Sequence, residues 1–99
     1  MLSAKNLAFW KKLKAPMINK FTGEKFTMTR KTYRKTDFRY TDFSGMNFDG
    51  TNFSGSWFWG SDLSNTKFIN CDLSGCDFRN CNLSGIDFTG SNLFQAEFD

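Results

Sequence analysis

The stretch that decides the fold is CDLSGCDFRNCNLSGIDFTG, residues 71–90, in which Leu or Phe returns at every fifth position. The same period runs from Phe38 to Phe98, and all thirteen positions in that series are Phe or Leu. A period of five matches neither the 3.6-residue period of an α-helix nor the two-residue period of a strand. The sequence therefore predicts a solenoid in which each five-residue unit contributes one large inward side chain.

The remaining positions of each unit support this interpretation. Two residues before each centre the residue is mostly small, and one residue before it ten of thirteen are Asp or Asn. Two residues after the centre, seven of twelve are Gly and three are Asn. Because Gly and Asn tolerate positive φ, a turn is predicted at the end of every unit.

This pattern resembles the pentapeptide-repeat family, whose motif reads A(D/N)LXX, over residues 36–99. The resemblance implies an all-β fold: a right-handed quadrilateral β-helix with four units in each coil. Thirteen units then make a little over three coils, about 15 Å tall at the ordinary strand spacing. Residues twenty apart would stack. The predicted aromatic walls are Phe38, Phe58, Phe78 and Phe98 on one side and Phe48, Phe68 and Phe88 on the other.

The three cysteines are explained by the repeat. Cys71, Cys76 and Cys81 occupy the small inward position of three successive units, so we expect them to behave as small buried hydrophobes. The CxxxxCxxxxC spacing and the absence of His argue against a metal site. An odd number of Cys without a secretory signal predicts free thiols in a reducing compartment. Together with the family resemblance, this implies the cytoplasm of a bacterial host cell. We expect no cofactor.

Charge divides the chain into a basic head and an acidic body. Residues 1–35 carry ten Lys or Arg and one Glu, whereas residues 36–99 carry three basic and nine acidic side chains. Residues 2–15 predict a short amphipathic helix ended by Pro16. It is interpreted as a cap on the first coil or a helix docked on the flank of the rod, and alternatively as a partner-binding helix or a membrane-surface anchor. Residues 17–35 are expected to add an irregular first coil with Met28 and Tyr33 inside.

The sequence offers no catalytic constellation. It has no His, no base placed beside its Ser residues and no Gly-rich phosphate loop, so a non-enzymatic role is predicted. The outward positions carry the functional hypotheses instead. Stacked carboxylates form columns along the rod, and the candidate partner contacts among them are Asp37, Asp42, Asp49, Asp62, Asp72, Asp77 and Asp87.

A second candidate contact is the unit SWFWG, residues 56–60, which places Trp57 and Trp59 outward where polar residues are expected. Arg39 and Arg79 lie one coil on either side of Trp59, so a cation–π sandwich is predicted there. One interpretation is a hot spot for a partner. The other is that the N-terminal helix covers the two Trp side chains.

The resemblance also implies a class of partner. The family includes quinolone-resistance proteins that resemble DNA and bind gyrase, and some phage-encoded inhibitors of DNA-targeting defence systems use the same device. We therefore expect a protein-binding module, most specifically a DNA-mimicking inhibitor of gyrase or CRISPR-effector type, and the short rod favours the phage-borne kind. Alternatively, the acidic columns belong only to the motif, and the chain is a structural or assembly scaffold whose basic head docks to a membrane or protein.

Two further partner predictions follow from the charge and the ends of the rod. Direct nucleic-acid binding is disfavoured because the acidic body would repel DNA. The C-terminal coil carries no obvious cap, and a bare coil edge invites pairing, so an end-to-end homodimer through that coil is predicted.

Overall fold

The computed structural model describes residues 17–18, 25–26 and 32–99 of the chain. From Thr32 onward the backbone winds into a parallel β-solenoid, in which residues pair with those twenty positions later. Twenty residues are four five-residue units, so each coil has four sides. The predicted quadrilateral β-helix is confirmed. The helix predicted for residues 2–15 and the inward position predicted for Met28 lie outside the described residues.

Regular strands are short because each side of a coil is only a few residues long. Strand β1 (Met17–Ile18) pairs antiparallel with β2 (Lys25–Phe26). Strand β3 (Asn47–Asp49) pairs parallel with β4 (Lys67–Ile69), with Phe48 opposite Phe68. The other sides are joined by isolated parallel bridges. None of the described segments forms a helix with the length and hydropathy needed to span a membrane.

The corners are turns that depend on positive φ. Every fifth residue from Lys35 to Gln95 has a positive φ, and six of these residues are not Gly. At most corners the carbonyl of the inward residue accepts the N–H three residues later, as Phe43 does from Met46 at 3.0 Å. A positive φ at the third residue of such a turn is the signature of type II. The Gly and Asn recurring in the sequence therefore have a local conformational cause.

The coils are held together by a regular backbone ladder. The Phe58 N–H donates to the Asp77 carbonyl at 2.8 Å, and the Asp77 N–H donates back to Ser56 at 3.0 Å. The same exchange recurs on every side of the solenoid, so the buried backbone groups between coils are satisfied by neighbouring coils.

The core is built from stacked rings, as the twenty-residue spacing predicts. Phe38, Phe58 and Phe78 are at most 1% exposed and stack with centroids 5.2–5.3 Å apart and interplanar angles of 8–19°. On the opposite wall Phe48 and Phe68 stack at 5.4 Å. The predicted aromatic walls are confirmed.

The two ends of the described solenoid are covered differently. Tyr33 lies inside the first coil, as predicted, where it stacks on Phe53 at 6.0 Å and meets Phe38 edge-on at 5.9 Å. In the last coil Leu93 is only half-buried and Phe98 is 43% exposed. The difference arises because no further coil among the described residues covers the C-terminal edge.

Candidate functional site

Trp57 and Trp59 lie on one unit of the second coil. Phe58 points inward, so its neighbours Trp57 and Trp59 point outward on either side of it. Trp57 is 46% exposed, whereas Trp59 is half-buried. The outward orientation predicted for both residues is confirmed.

Coil stacking surrounds these indoles with polar and aromatic side chains. The backbone of Trp57 forms parallel β-bridges with Asp37 in the coil before it and with Asp77 in the coil after it. Residue 59 correspondingly lies between residues 39 and 79. The side chains enclose a cleft of about 520 Å³, called the tryptophan cleft below. Its lining residues are Asp37, Arg39, Tyr40, Trp57, Trp59, Asp77 and Arg79.

Two side-on ion pairs fix the charged groups of the cleft. Nε and Nη2 of Arg39 donate to Oδ1 and Oδ2 of Asp37, both at 2.9 Å. Arg79 makes the same pair of bonds to Asp77 at 3.0 and 2.8 Å. These side-chain hydrogen bonds lower the pKa of both aspartates and raise the pKa of both arginines. The four groups are therefore ionised at neutral pH and their formal charges cancel, while Glu97 lies at the edge of the cleft, 3.5 Å from Nε of Arg79.

Tyr40 is the cleft residue that sequence reasoning missed. It occupies a turn position with φ of 55°, and its ring meets Trp59 edge-on at 5.2 Å and 82°. The ring lies over Gly60, where an added Cβ would come within 2.9 Å of it. The signal was present in the sequence, because twenty-residue stacking puts residue 40 directly over residue 60.

The other predicted contact residues lie on the remaining sides of the rod. Asp42 and Asp62 form one column, but Asp62 is only 2% exposed and so does not present its carboxylate to solvent. Asp72 lies on another side, while Asp49 and Asp87 share the fourth. The structure thus brings six of the eleven predicted contact residues together in the tryptophan cleft and separates the other five.

At nine of the thirteen inward centres, the Asp or Asn that precedes the centre has a local structural role. Its Oδ1 accepts the backbone N–H two residues later, as Asp72 does from Ser74 at 3.0 Å. Asn and Asp perform this task equally, because the bond needs only an oxygen acceptor. The residues that make it are Asp37, Asp42, Asn52, Asp62, Asp72, Asp77, Asn82, Asp87 and Asn92.

The cysteines are part of the scaffold and do not contribute to the cleft. Cys71 and Cys76 are buried and Cys81 is half-buried, all as free thiols. The thiol of Cys76 contacts the Phe53 carbonyl at 3.1 Å and that of Cys81 contacts Phe58 at 2.9 Å. Burial raises the pKa of both thiols to about 12. Across residues 32–99 no group of His, Cys, Asp and Glu is arranged to hold a metal ion.

Comparisons with known proteins agree with this geometry. The profile of the family Pentapeptide repeats matches residues 34–55, 47–85 and 58–95, with eight copies. A search of curated proteins found no match. Among solved structures, the pentapeptide repeat protein Rfr23 from the cyanobacterium Cyanothece 51142 is similar, with a TM-score of 0.66 and 20% identity. The alignment covers 69% of this chain and 47% of Rfr23, so the chain spans about half of that protein's length.

Two proteins from the cyanobacterium Nostoc PCC 7120 also align, with lower TM-scores. HetL, a pentapeptide repeat protein involved in heterocyst differentiation regulation, aligns at 0.35 and 20% identity over 67% of this chain and 38% of HetL. The protein alr5209 aligns at 0.36 and 16% identity over 98% of this chain and 80% of alr5209.

The twenty-residue register, the positive-φ corners and the family match over more than half of the sequence lead to one assignment. This chain belongs to the pentapeptide-repeat family and folds as a right-handed quadrilateral β-helix, an architecture that serves as a protein-interaction module.

Proposed function

We propose that this chain is a non-enzymatic protein-binding module whose contact surface is the tryptophan cleft. The observation that carries the proposal is the Trp57 indole, 46% exposed beside Trp59, Tyr40 and two arginines. A few residues supply most of the binding free energy in protein interfaces, and Trp, Tyr and Arg are enriched among them. Exposed large apolar side chains that cluster on a soluble surface mark sites where another molecule binds.

Preorganisation supports this assignment. Arg39 and Arg79 are each held by two hydrogen bonds from their Nε and Nη2 groups, so little side-chain entropy remains to be lost when a partner binds. Tyr40 packs its ring against Trp59 and over Gly60. The surface around the two indoles is therefore formed before any partner arrives.

The experiment uses the chain as bait in a bacterial lysate, with a Trp57→Ala, Trp59→Ala variant beside the wild type. The proposal expects a retained partner that the double variant loses, while circular dichroism shows that the solenoid remains folded. Phe94→Ala is the matched control, because Phe94 is 69% exposed on another side of the rod. A partner retained by the folded double variant, or lost equally with Phe94→Ala, would contradict the proposal.

A DNA-mimicking inhibitor of gyrase or CRISPR-effector type is the more specific form of this proposal. Columns of Asp and Asn at coil spacing favour it. Other observations argue against it, because Asp37 and Asp77 form ion pairs with Arg and Asp62 is buried. Duplex DNA carries one negative charge per ~1.7 Å, so a rod about 15 Å tall would need roughly nine unpaired charges to match it.

Charge neutralisation separates the two forms. Asp42, Asp49, Asp72 and Asp87 lie outside the tryptophan cleft, and a variant with all four replaced by Asn keeps the oxygen acceptors that the turns use. DNA mimicry expects this variant to lose its partner, and expects duplex DNA or raised salt to displace the partner from the wild type. Cleft binding expects neither effect. The scaffold alternative expects the chain to retain membrane or assembly proteins. Neither duplex DNA nor the Trp substitutions should then reduce the amount retained.

A further inference from the structure

We propose that the tryptophan cleft binds a proline-rich segment of its partner in the polyproline II conformation. This deepens the proposed function, on which it rests, by naming the chemistry of the partner. Three independent features of the cleft point to this ligand: its charge balance, its aromatic walls and its spacing along the solenoid axis.

The charge balance favours a neutral ligand that accepts hydrogen bonds. Within the lining of the cleft, the carboxylates of Asp37 and Asp77 are matched by the guanidinium groups of Arg39 and Arg79. Glu97 lies outside the lining, 3.5 Å from Nε of Arg79, and is 62% exposed, so solvent screens its charge. A strongly charged ligand therefore gains little inside the cleft from either sign. At Arg79, Nε and Nη2 donate to the Asp77 carboxylate, so the Nη1 group lies on the side of the guanidinium away from Asp77. A polyproline II segment has no internal hydrogen bonds and presents its carbonyl groups outward, where guanidinium and indole N–H groups can donate to them.

The aromatic walls suit the pyrrolidine ring. Tyr40 and Trp59 meet at an interplanar angle of 82°, which forms a right-angled notch beside the exposed Trp57 indole. A compact, apolar proline ring can pack against both walls of such a notch. Proline-rich segments also lose little conformational entropy on binding because their backbone is already extended, which is why aromatic-lined surfaces recognise them.

The spacing selects the conformation. Arg39 and Arg79 are two coils apart, which is about 9.6 Å along the axis at ordinary strand spacing. A polyproline II helix repeats every three residues, or about 9.3 Å, so a segment parallel to the axis stays in register with both arginines. An extended strand repeats about every 6.6 Å and an α-helix about every 5.4 Å, and neither period matches the site.

The test compares two neutral twelve-residue peptides of identical composition in Pro, Ala, Ser and Gly. One places Pro at every third position, and the other carries the same residues with Pro at irregular spacing. Each is titrated into the isotope-labelled full chain, and the indole N–H signals, assigned with single Trp→Phe variants, are followed. We expect saturable shifts of the Trp57 and Trp59 signals, with the regular peptide binding at least about fivefold tighter, a difference of roughly 1 kcal/mol.

Variants make the outcome specific. Trp57→Ala should abolish the shift at Trp59, and Phe94→Ala should leave the affinity unchanged. No saturable shift with the regular peptide overturns the inference, as does equal affinity for the two peptides or an equal loss with Phe94→Ala. The peptide is then added to the lysate capture described above. A partner that depends on the Trp residues but is not displaced by the regular peptide overturns this inference and leaves the proposed function standing, whereas displacement supports both.

Discussion

At the residue scale, the small inward position is a hydrogen-bonding position as well as a space-filling one. Ser56 and Ser61 each donate their hydroxyl to an inward-residue carbonyl of the preceding coil at 2.6 Å. Cys76 and Cys81 contact the equivalent carbonyls through sulfur. The sequence prediction of small buried hydrophobes was therefore right about location, and the structure adds that the thiol replaces a serine hydroxyl in the same bond.

This role predicts how stability depends on alkaline pH. The pKa of the Cys76 and Cys81 thiols is raised from 9.0 to about 12 in the folded chain, so above pH 9 the unfolded chain loses these protons first. Stability therefore falls as pH rises from about 9 towards 12, by up to about 1.4 kcal/mol per pH unit for each thiol. Urea unfolding at several pH values measures the slope.

The matched control for that slope is a Cys76→Ser, Cys81→Ser double variant, since serine already fills the equivalent positions at Ser56 and Ser61. Its stability should decline less steeply across the same pH range, because only the remaining titrating groups contribute. An unchanged slope would show that neither thiol is kept protonated by the fold.

A second residue-scale prediction concerns the glycine beneath Tyr40. Gly45 and Gly60 both have φ of +74°, but an added Cβ at Gly45 meets nothing within 4 Å, whereas at Gly60 it meets the Tyr40 ring at 2.9 Å. Gly45→Ala should cost about 1–2 kcal/mol from backbone strain alone. Gly60→Ala should cost about 1–3 kcal/mol more because of the clash, measured by chemical denaturation. Equal losses would mean that the Tyr40 ring moves away without penalty.

At the element scale, the repeating unit explains why acidic residues recur without requiring a partner for them. Asp72 accepts the Ser74 N–H at 3.0 Å and the Ser74 hydroxyl at 2.6 Å. Asn52 and Asn92, one coil away on either side, accept the same backbone bond. The turn thus requires an oxygen acceptor at this position. It does not require that the acceptor carry a negative charge.

This division predicts different effects for two substitutions at one site. Asp72→Asn keeps the acceptor and should change the free energy of unfolding by less than about 0.5 kcal/mol. Asp72→Ala removes both hydrogen bonds and should cost about 1–2 kcal/mol. Thermal and urea unfolding of the two variants measures the difference. A loss as large in the Asn variant as in the Ala variant would show that the charge itself stabilises the turn.

At the scale of the whole molecule, the asymmetry between the two ends of the solenoid is the main feature. Tyr33 packs on Phe38 and Phe53 at one end, whereas Phe98 stacks on Phe78 at 5.2 Å with its outer face uncovered by any described residue. Among residues 32–99, no backbone carbonyl of a further coil accepts the inward amides of Phe88 and Leu93, unlike their counterparts in earlier coils. Such an edge can pair with another chain.

The end-to-end homodimer predicted from the sequence stays a prediction, and we propose this described edge as its contact surface. Light scattering at micromolar concentration should give twice the chain mass, and Phe98→Glu should return it to the monomer mass by placing a charge in the contact. Phe94→Glu is the control, because Phe94 projects from the side of the rod. A monomer mass for the wild type would contradict the prediction, as would a dimer that survives Phe98→Glu.

The sequence by itself determined the solenoid, the inward rings and the corner turns, whereas the four sides of each coil were implied by the resemblance to the pentapeptide-repeat family. It could do so because these features repeat every five residues and depend on local chemistry: residue size, turn propensity and alternation of inward and outward side chains. Stacking at twenty residues then followed from the number of units per coil. Even the proximity of Arg39 and Arg79 to Trp59 was accessible in this way.

Only the tertiary structure decided what the outward side chains do once the coils are stacked. Tyr40 turns over Gly60 to meet Trp59, the two arginines pair with Asp37 and Asp77, and Asp62 is buried while other carboxylates are exposed. These outcomes depend on side-chain rotamers and on neighbours twenty residues away, which compete for the same space and the same hydrogen bonds. The five-residue pattern specifies whether a side chain leaves the backbone inward or outward. Packing between coils specifies its rotamer and its contacts.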